Sequence, residues 1–241
     1  MQLFYSLDIT PNGLCTLDEE ESRHAVRVMR LREGDDINVT DGRGNMYLCR
    51  IVVADPKACV VEPTEAHCTS SAPQAALHLS VAPTKNPARM EWLVEKAVEI
   101  GVEEITLLNC DHSERTFLKT DRLERLAVSA MKQSLHTVLP VVNPPVELKE
   151  WLRQSAGQFA PDTQKFIAHC EADQPRTPLA SAMVAGRDAV VLIGPEGDFS
   201  AEEIELALDC GFQPVSLGPS RLRTETAALY ATAAFNLIND R

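Results

Sequence analysis

Two stretches near the carboxyl end of the chain each run from a short apolar segment through a glycine-bearing turn into a helical pattern, and this repeated order restricts the fold more than any other feature. In the first, Ala189–Ile193 is continuously apolar, as a strand buried on both faces would be, and Gly194 and Gly197 around Pro195 permit a sharp turn after it. Ser200 then offers a hydroxyl cap with Glu203 three residues on, and Ile204, Leu206, Ala207 and Leu208 can line a helix face before Gly211 stops it. In the second, a strand over about 214–217 meets Gly218 and then a closing helix that begins near Thr224 or Thr226 and continues through Asn239. Strand, turn and helix in this order predict an α/β chain with a parallel sheet, and ligands of such sheets bind outside the carboxyl ends of the strands.

A glycine turn before a capped helix is ordinary punctuation in α/β chains when taken alone. The second turn, however, carries Arg221, Arg223 and Glu225 within five positions, charge that a plain connection does not need. Neither turn fits Gly-x-Gly-x-x-Gly, and Gly-x-x-x-x-Gly-Lys-Ser/Thr is absent, which removes the usual dinucleotide and P-loop phosphate cradles.

At Ile193-Gly194-Pro195-Glu196-Gly197 and Leu222-Arg223-Thr224-Glu225-Thr226-Ala227 the chain resembles the SPOUT superfamily of knotted S-adenosylmethionine methyltransferases, and within it the RsmE family. Residues 90–102 resemble the first helix of that family's catalytic domain, and His24 through Gly44 its small barrel-like RNA-binding domain. The resemblance implies a C-terminal parallel-sheet SPOUT domain with a trefoil knot over 77–241, preceded by a small PUA-like β-barrel domain over 1–70. It also implies a homodimer, and transfer of a methyl group from S-adenosylmethionine to N3 of one uridine, 1498 in the reference numbering, of 16S ribosomal RNA in the small subunit. A non-catalytic ribosome-binding or assembly factor of the same fold is the alternative.

By resemblance, the cofactor is held by Leu192, Ile193, Gly194, Pro195, Glu196 and Gly197 on the first turn, and by Leu217, Gly218, Leu222, Thr224 and Ala227 on the second. The chemistry needs the methyl aligned with N3, loss of the N3 proton, and stabilisation of charge spreading onto the flanking carbonyls. Arg223, with a fixed charge and a planar fork, is the expected catalytic residue. Glu225 and Glu196 are the nearby carboxylates, and Glu225 is as readily a first-turn acid on the final helix as a base.

The chain is acidic, with a net charge of -12, so any RNA contact must be focal. One focus is Arg23, Arg27 and Arg30, which share a face at i, i+4 and i+7 if residues 18–29 form one helix. Residues 37–40, the Asp41-Gly42-Arg43-Gly44 turn and residues 47–53 then describe a hairpin in a small β domain. Arg115, Lys119, Arg122 and Arg125 form a second basic cluster leading into a helix expected over 122–139 and ended by Pro140. Family members often carry arginine where His136 follows Gln133-Ser134-Leu135, and a surface histidine is expected there.

In the stretch from Met90, Trp92, Leu93, Ala97 and Ile100 are expected to face the core, with Glu91, Glu95 and Glu99 in solvent. Seven cysteines occur without a Cys-x-x-Cys pair, so reduced thiols and no metal are expected, His67-Cys68 and His169-Cys170 notwithstanding. With neither a long apolar run nor a signal-like start, the expected setting is the cytoplasm, away from membranes.

Overall fold

The computed structural model describes residues 2–68, 75–114, 118–155, 158–171 and 175–239, and the chain divides into two compact units. The smaller takes residues 1–73 together with 128–139, and the larger takes 74–127 and 140–241.

In the smaller unit, β1 (Leu3–Tyr5), β2 (Cys15–Thr16), β3 (Asp36–Thr40), β4 (Asn45–Val53) and β5 (Val60–Cys68) form a sheet in the order β1-β3-β4-β5-β2. β1 joins β3 in parallel, whereas the other pairs are antiparallel. Register shifts between β4 and β5 at Leu48/Cys49 and Ile51/Val53 bend the sheet around a core that includes Phe4, Val39, Cys49 and Val61. The β3–β4 hairpin turns as expected. Asp41 Oδ1 accepts the Arg43 and Asn45 backbone N–H groups at 2.8 and 3.1 Å, and Gly42 adopts φ 71°, where an added Cβ would lie 2.9 Å from the Tyr5 ring.

The single helix expected over 18–29 is not regular. Helix α1 spans only Glu19–Arg23, capped by Asp18, whose side chain accepts the Glu21 N–H; a π-helical turn over His24–Val28 follows. Arg30 then takes φ 59° and ends the segment. The 3.6-residue spacing that would align Arg23, Arg27 and Arg30 therefore does not hold, although all three are exposed.

In the larger unit, β6 (Leu77–Val81), β7 (Glu104–Asn109), β8 (Val141–Glu147), β9 (Gln164–Ala168), β10 (Thr177–Pro178), β11 (Ala189–Ile193) and β12 (Gln213–Ser216) form a sheet in the order β10-β12-β9-β11-β6-β7-β8. All of its pairings are parallel. β11 is buried at every position, which accounts for its unbroken apolar run. This unit also holds α2 (Pro87–Ile100), α4 (Leu148–Ser155), α5 (Leu179–Ala182), α6 (Ala201–Asp209) and α7 (Thr224–Ile238), whereas α3 (Thr120–Gln133) begins in it and ends in the smaller unit.

The second expected helix ends early. α3 stops at Gln133, Leu135 adopts φ 61°, and the His136 N–H returns to the Met131 carbonyl, so Pro140 is not what terminates it. Residues 128–139 pack within the smaller unit, where Lys132 Nζ pairs with the buried Glu21 carboxylate and the Leu139 N–H donates to the Gly42 carbonyl. His136 is half-buried. On α2, Leu93 and Ala97 are buried as expected, but Trp92 is 47% exposed, so the apolar face is narrower than the pattern suggested. Glu91 pairs with Arg122, and Glu95 and Glu99 both pair with Lys96.

Candidate functional site

The carboxyl ends of β9, β11 and β12 open into a cavity of about 330 Å³, within the range of small-molecule sites. The segment after β11 contributes Ile193, Gly194, Pro195 and Glu196, and the segment from β12 into α7 contributes Leu217, Gly218, Leu222, Arg223, Thr224 and Ala227. The two glycine turns that stand out in the sequence thus form two walls of one cavity. Leu192 and Gly197 are not on its surface. Leu192 is buried in the core, and the open side of Gly197 faces His112, whose Cβ would lie 3.1 Å from an added Cβ.

Local contacts hold both walls. A Cβ on Gly194 would lie 3.1 Å from the Phe199 ring and 3.3 Å from its backbone nitrogen, so a side chain there would have to push Phe199 aside by a few tenths of an ångström. Thr224, buried at the start of α7, donates its hydroxyl to the Gly194 carbonyl at 3.0 Å and so fastens one turn to the other. Glu196 Oε1 accepts the Lys85 N–H at 3.1 Å, which engages that carboxylate with the loop before α2. The expected capping box on α6 is present: the Ser200 hydroxyl accepts the Glu203 N–H, and the Glu203 carboxylate accepts the Ser200 N–H. Asp111 joins this cap through the Ser200 hydroxyl at 2.6 Å and Lys149 at 2.8 Å, and those partners, Lys149 first, hold its carboxyl below the ordinary range.

Arg223 is the N-cap residue of α7, exposed and on the cavity wall. Glu225 lies one helical step deeper. It is 6% exposed, does not line the cavity, and has Oε1 3.6 Å from Arg89 Nε, while Oε2 is buried without a hydrogen-bond partner among the described residues.

Sequence reasoning missed the third wall. His169, Cys170 and Arg176 follow β9, and Asp198 lies across from them, with its carboxylate accepting the Cys170 N–H at 2.6 Å and the Phe199 N–H at 2.8 Å. The signal was the short apolar run ending at Ala168, a third parallel strand whose carboxyl end had to reach the same rim. Burial holds the His169 imidazole below its ordinary pKa, and its Nδ1 accepts the Glu171 N–H at 3.2 Å, so the ring is neutral with its proton on Nε2. Of the basic side chains expected to meet RNA, Arg23, Arg27 and Arg30 belong to the smaller unit, and Arg115 lies outside the described residues.

A family model described as an RNA methyltransferase domain matches residues 70–236, and one described as an RNA methyltransferase PUA domain matches 17–64. Among curated relatives, ribosomal RNA small subunit methyltransferase E of Aquifex aeolicus is 29% identical, over 95% of this chain and 96% of that protein. A crystal structure described as a probable rRNA-methyltransferase from Porphyromonas gingivalis has a TM-score of 0.90 at 40% identity, covering 100% of this chain and 99% of that one. Ribosomal RNA small subunit methyltransferase E from Neisseria gonorrhoeae, bound to S-adenosyl methionine, has a TM-score of 0.80 at 27% identity, covering 99% and 98%.

Proposed function

We propose, from the premise that this chain belongs to the RNA methyltransferase family, that it transfers a methyl group from S-adenosylmethionine to N3 of uridine 1498, in the reference numbering, of 16S ribosomal RNA. The observation that carries this reading is the cavity at the carboxyl ends of three parallel strands, walled by the two glycine turns. Its size and its mixture of apolar and polar lining residues suit a nucleoside cofactor. Ile193, Gly194, Pro195, Leu217, Gly218, Leu222, Thr224 and Ala227 would hold that cofactor. Glu196 would brace the rim through the Lys85 N–H, with Leu192 and Gly197 supporting the wall from behind.

Bound S-adenosylmethionine supplies an electrophilic methyl group on a positively charged sulfur. Arg223, on the cavity wall, would offer its guanidinium fork to negative charge that spreads onto the uracil carbonyls as the N3 proton leaves. Glu225, turned away from the cavity and paired with Arg89, would fix the start of α7 beneath Arg223 while the proton passes to water.

Labour divides between the two parts of the chain: residues 1–70 hold RNA through Arg23, Arg27 and Arg30, and residues 77–241 carry the transfer, with Arg115 as a further RNA contact. We place the protein in the cytoplasm with the small ribosomal subunit. We also propose that it is a homodimer with a trefoil knot in the catalytic part. Trp92 on α2 and Tyr230 and Leu237 on α7 are 47%, 46% and 81% exposed, on two helices that pack together, and such a surface suits a second copy. Transfer of labelled methyl from S-adenosylmethionine to small-subunit RNA tests the function, and binding without transfer would favour the ribosome-binding alternative.

A further inference from the structure

The wall that follows β9 holds a cation, Arg176, with no counter-charge among the described residues. Arg176 is half-buried and donates Nη1 to the His169 carbonyl, and no carboxylate among the described residues forms an ion pair with it. Among the described residues, the carboxylates that line the cavity are engaged elsewhere: Asp198 accepts the Cys170 and Phe199 N–H groups, and Glu196 accepts that of Lys85. His169 brings no charge, and its Nε2 is buried without a partner among the described residues, although the residue is only 3% exposed. A buried donor left unmatched costs free energy that a ligand acceptor recovers, and a guanidinium shielded from water gains more from an anion than one at an exposed rim. Arg221 and Arg223, the other cations on the cavity, are exposed.

We propose that Arg176 recognises the amino-acid carboxylate of the cofactor, with the His169 carbonyl orienting its fork. This rests on the assignment of S-adenosylmethionine to the cavity. A guanidinium matches a carboxylate with two parallel N–H donors, and the bond from Nη1 to a backbone oxygen fixes its plane before ligand arrives. Arg176 is thereby a specificity residue: it separates ligands that carry an amino-acid end from nucleosides that lack one.

Calorimetry on the full chain with S-adenosylhomocysteine, which has the carboxylate, and 5′-methylthioadenosine, which does not, reads this out directly. The parent should prefer S-adenosylhomocysteine. Arg176→Gln keeps a donor for the His169 carbonyl but no charge, and should weaken S-adenosylhomocysteine about ten- to a hundredfold while moving 5′-methylthioadenosine by no more than about twofold. Arg176→Lys should retain part of the preference. Equal weakening of both ligands by Arg176→Gln would reduce Arg176 to a brace for the wall and overturn the proposal, as would an unchanged preference. A parent chain that binds neither compound would bring down the cofactor assignment itself, an outcome distinct from a parent that binds and a variant that still discriminates.

Discussion

Arg223 and Glu225 stand two positions apart on the same turn of α7, yet only Arg223 reaches the cavity. Arg223→Ala should lower single-turnover methylation about a hundredfold to a thousandfold with cofactor binding nearly intact, because one aimed donor is removed where charge develops. Arg223→Lys should also be defective, since it keeps the charge and loses the fork; parental turnover in either variant would remove Arg223 from the chemistry. Gly194→Ala should weaken cofactor binding, because the new Cβ would press on the Phe199 ring and backbone. Gly197→Val should act less directly, through displacement of His112, and parallel titrations of the two variants would rank them. Residue types on the two turns were legible because glycine and charge are conspicuous in sequence. His169 and Arg176 were missed, because the apolar run ending at Ala168 signals a strand while nothing local marks the loop after it as a wall of the cavity.

Elements were legible where their signals were local. The capping box at Ser200 and Glu203, the Asp41–Gly44 turn and the apolar run of β11 each carry their own cause. The π-helical turn at His24–Val28 and the early stop of α3 depend on packing within the smaller unit, and helical periodicity cannot announce either. Changing Arg23, Arg27 and Arg30 together to Ala should flatten the salt dependence of RNA binding by about 0.7 to 0.9 for each phosphate that is no longer neutralised. An unchanged slope in filter binding would mean that these exposed arginines are merely solvated. Lys132→Ala leaves the Glu21 carboxylate buried without its cation and should cost about 3 kcal/mol in urea denaturation. Strand pairing has its own pH signature, since His78 on β6 contacts the Thr106 hydroxyl on β7 at 2.8 Å and burial lowers its pKa against the weaker opposing pull of Glu104. The unfolded chain then binds a proton near pH 6.5 that the folded chain resists. Stability from neutral His78 is therefore full above about pH 6.5 and declines as the pH falls. Melting scans should show His78→Gln with a shallower acid decline than the parent, and His169, whose pKa is also lowered, should keep the remaining slope.

At the scale of the molecule, an rRNA methyltransferase with a net charge of -12 meets a polyanion, so the proposed RNA contacts are local patches of positive charge rather than a broad basic face. Two strand-turn-helix units in sequence were enough to anticipate a parallel sheet with a cavity at its carboxyl edge, whereas pairing between copies has no periodic signature. On the proposed homodimer, Trp92→Ala with Tyr230→Ala should shift sedimentation toward a monomer, and sedimentation identical to the parent's would remove this surface from the proposal. The most direct test of the central claim is mass mapping of methylated nucleosides in small-subunit ribosomal RNA that lacks the modification, after incubation with the protein and S-adenosylmethionine. The expected result is one new methyl group at N3 of one uridine, formed far more slowly with Arg223→Ala. No methylation, or methylation of a different base or atom, would contradict it.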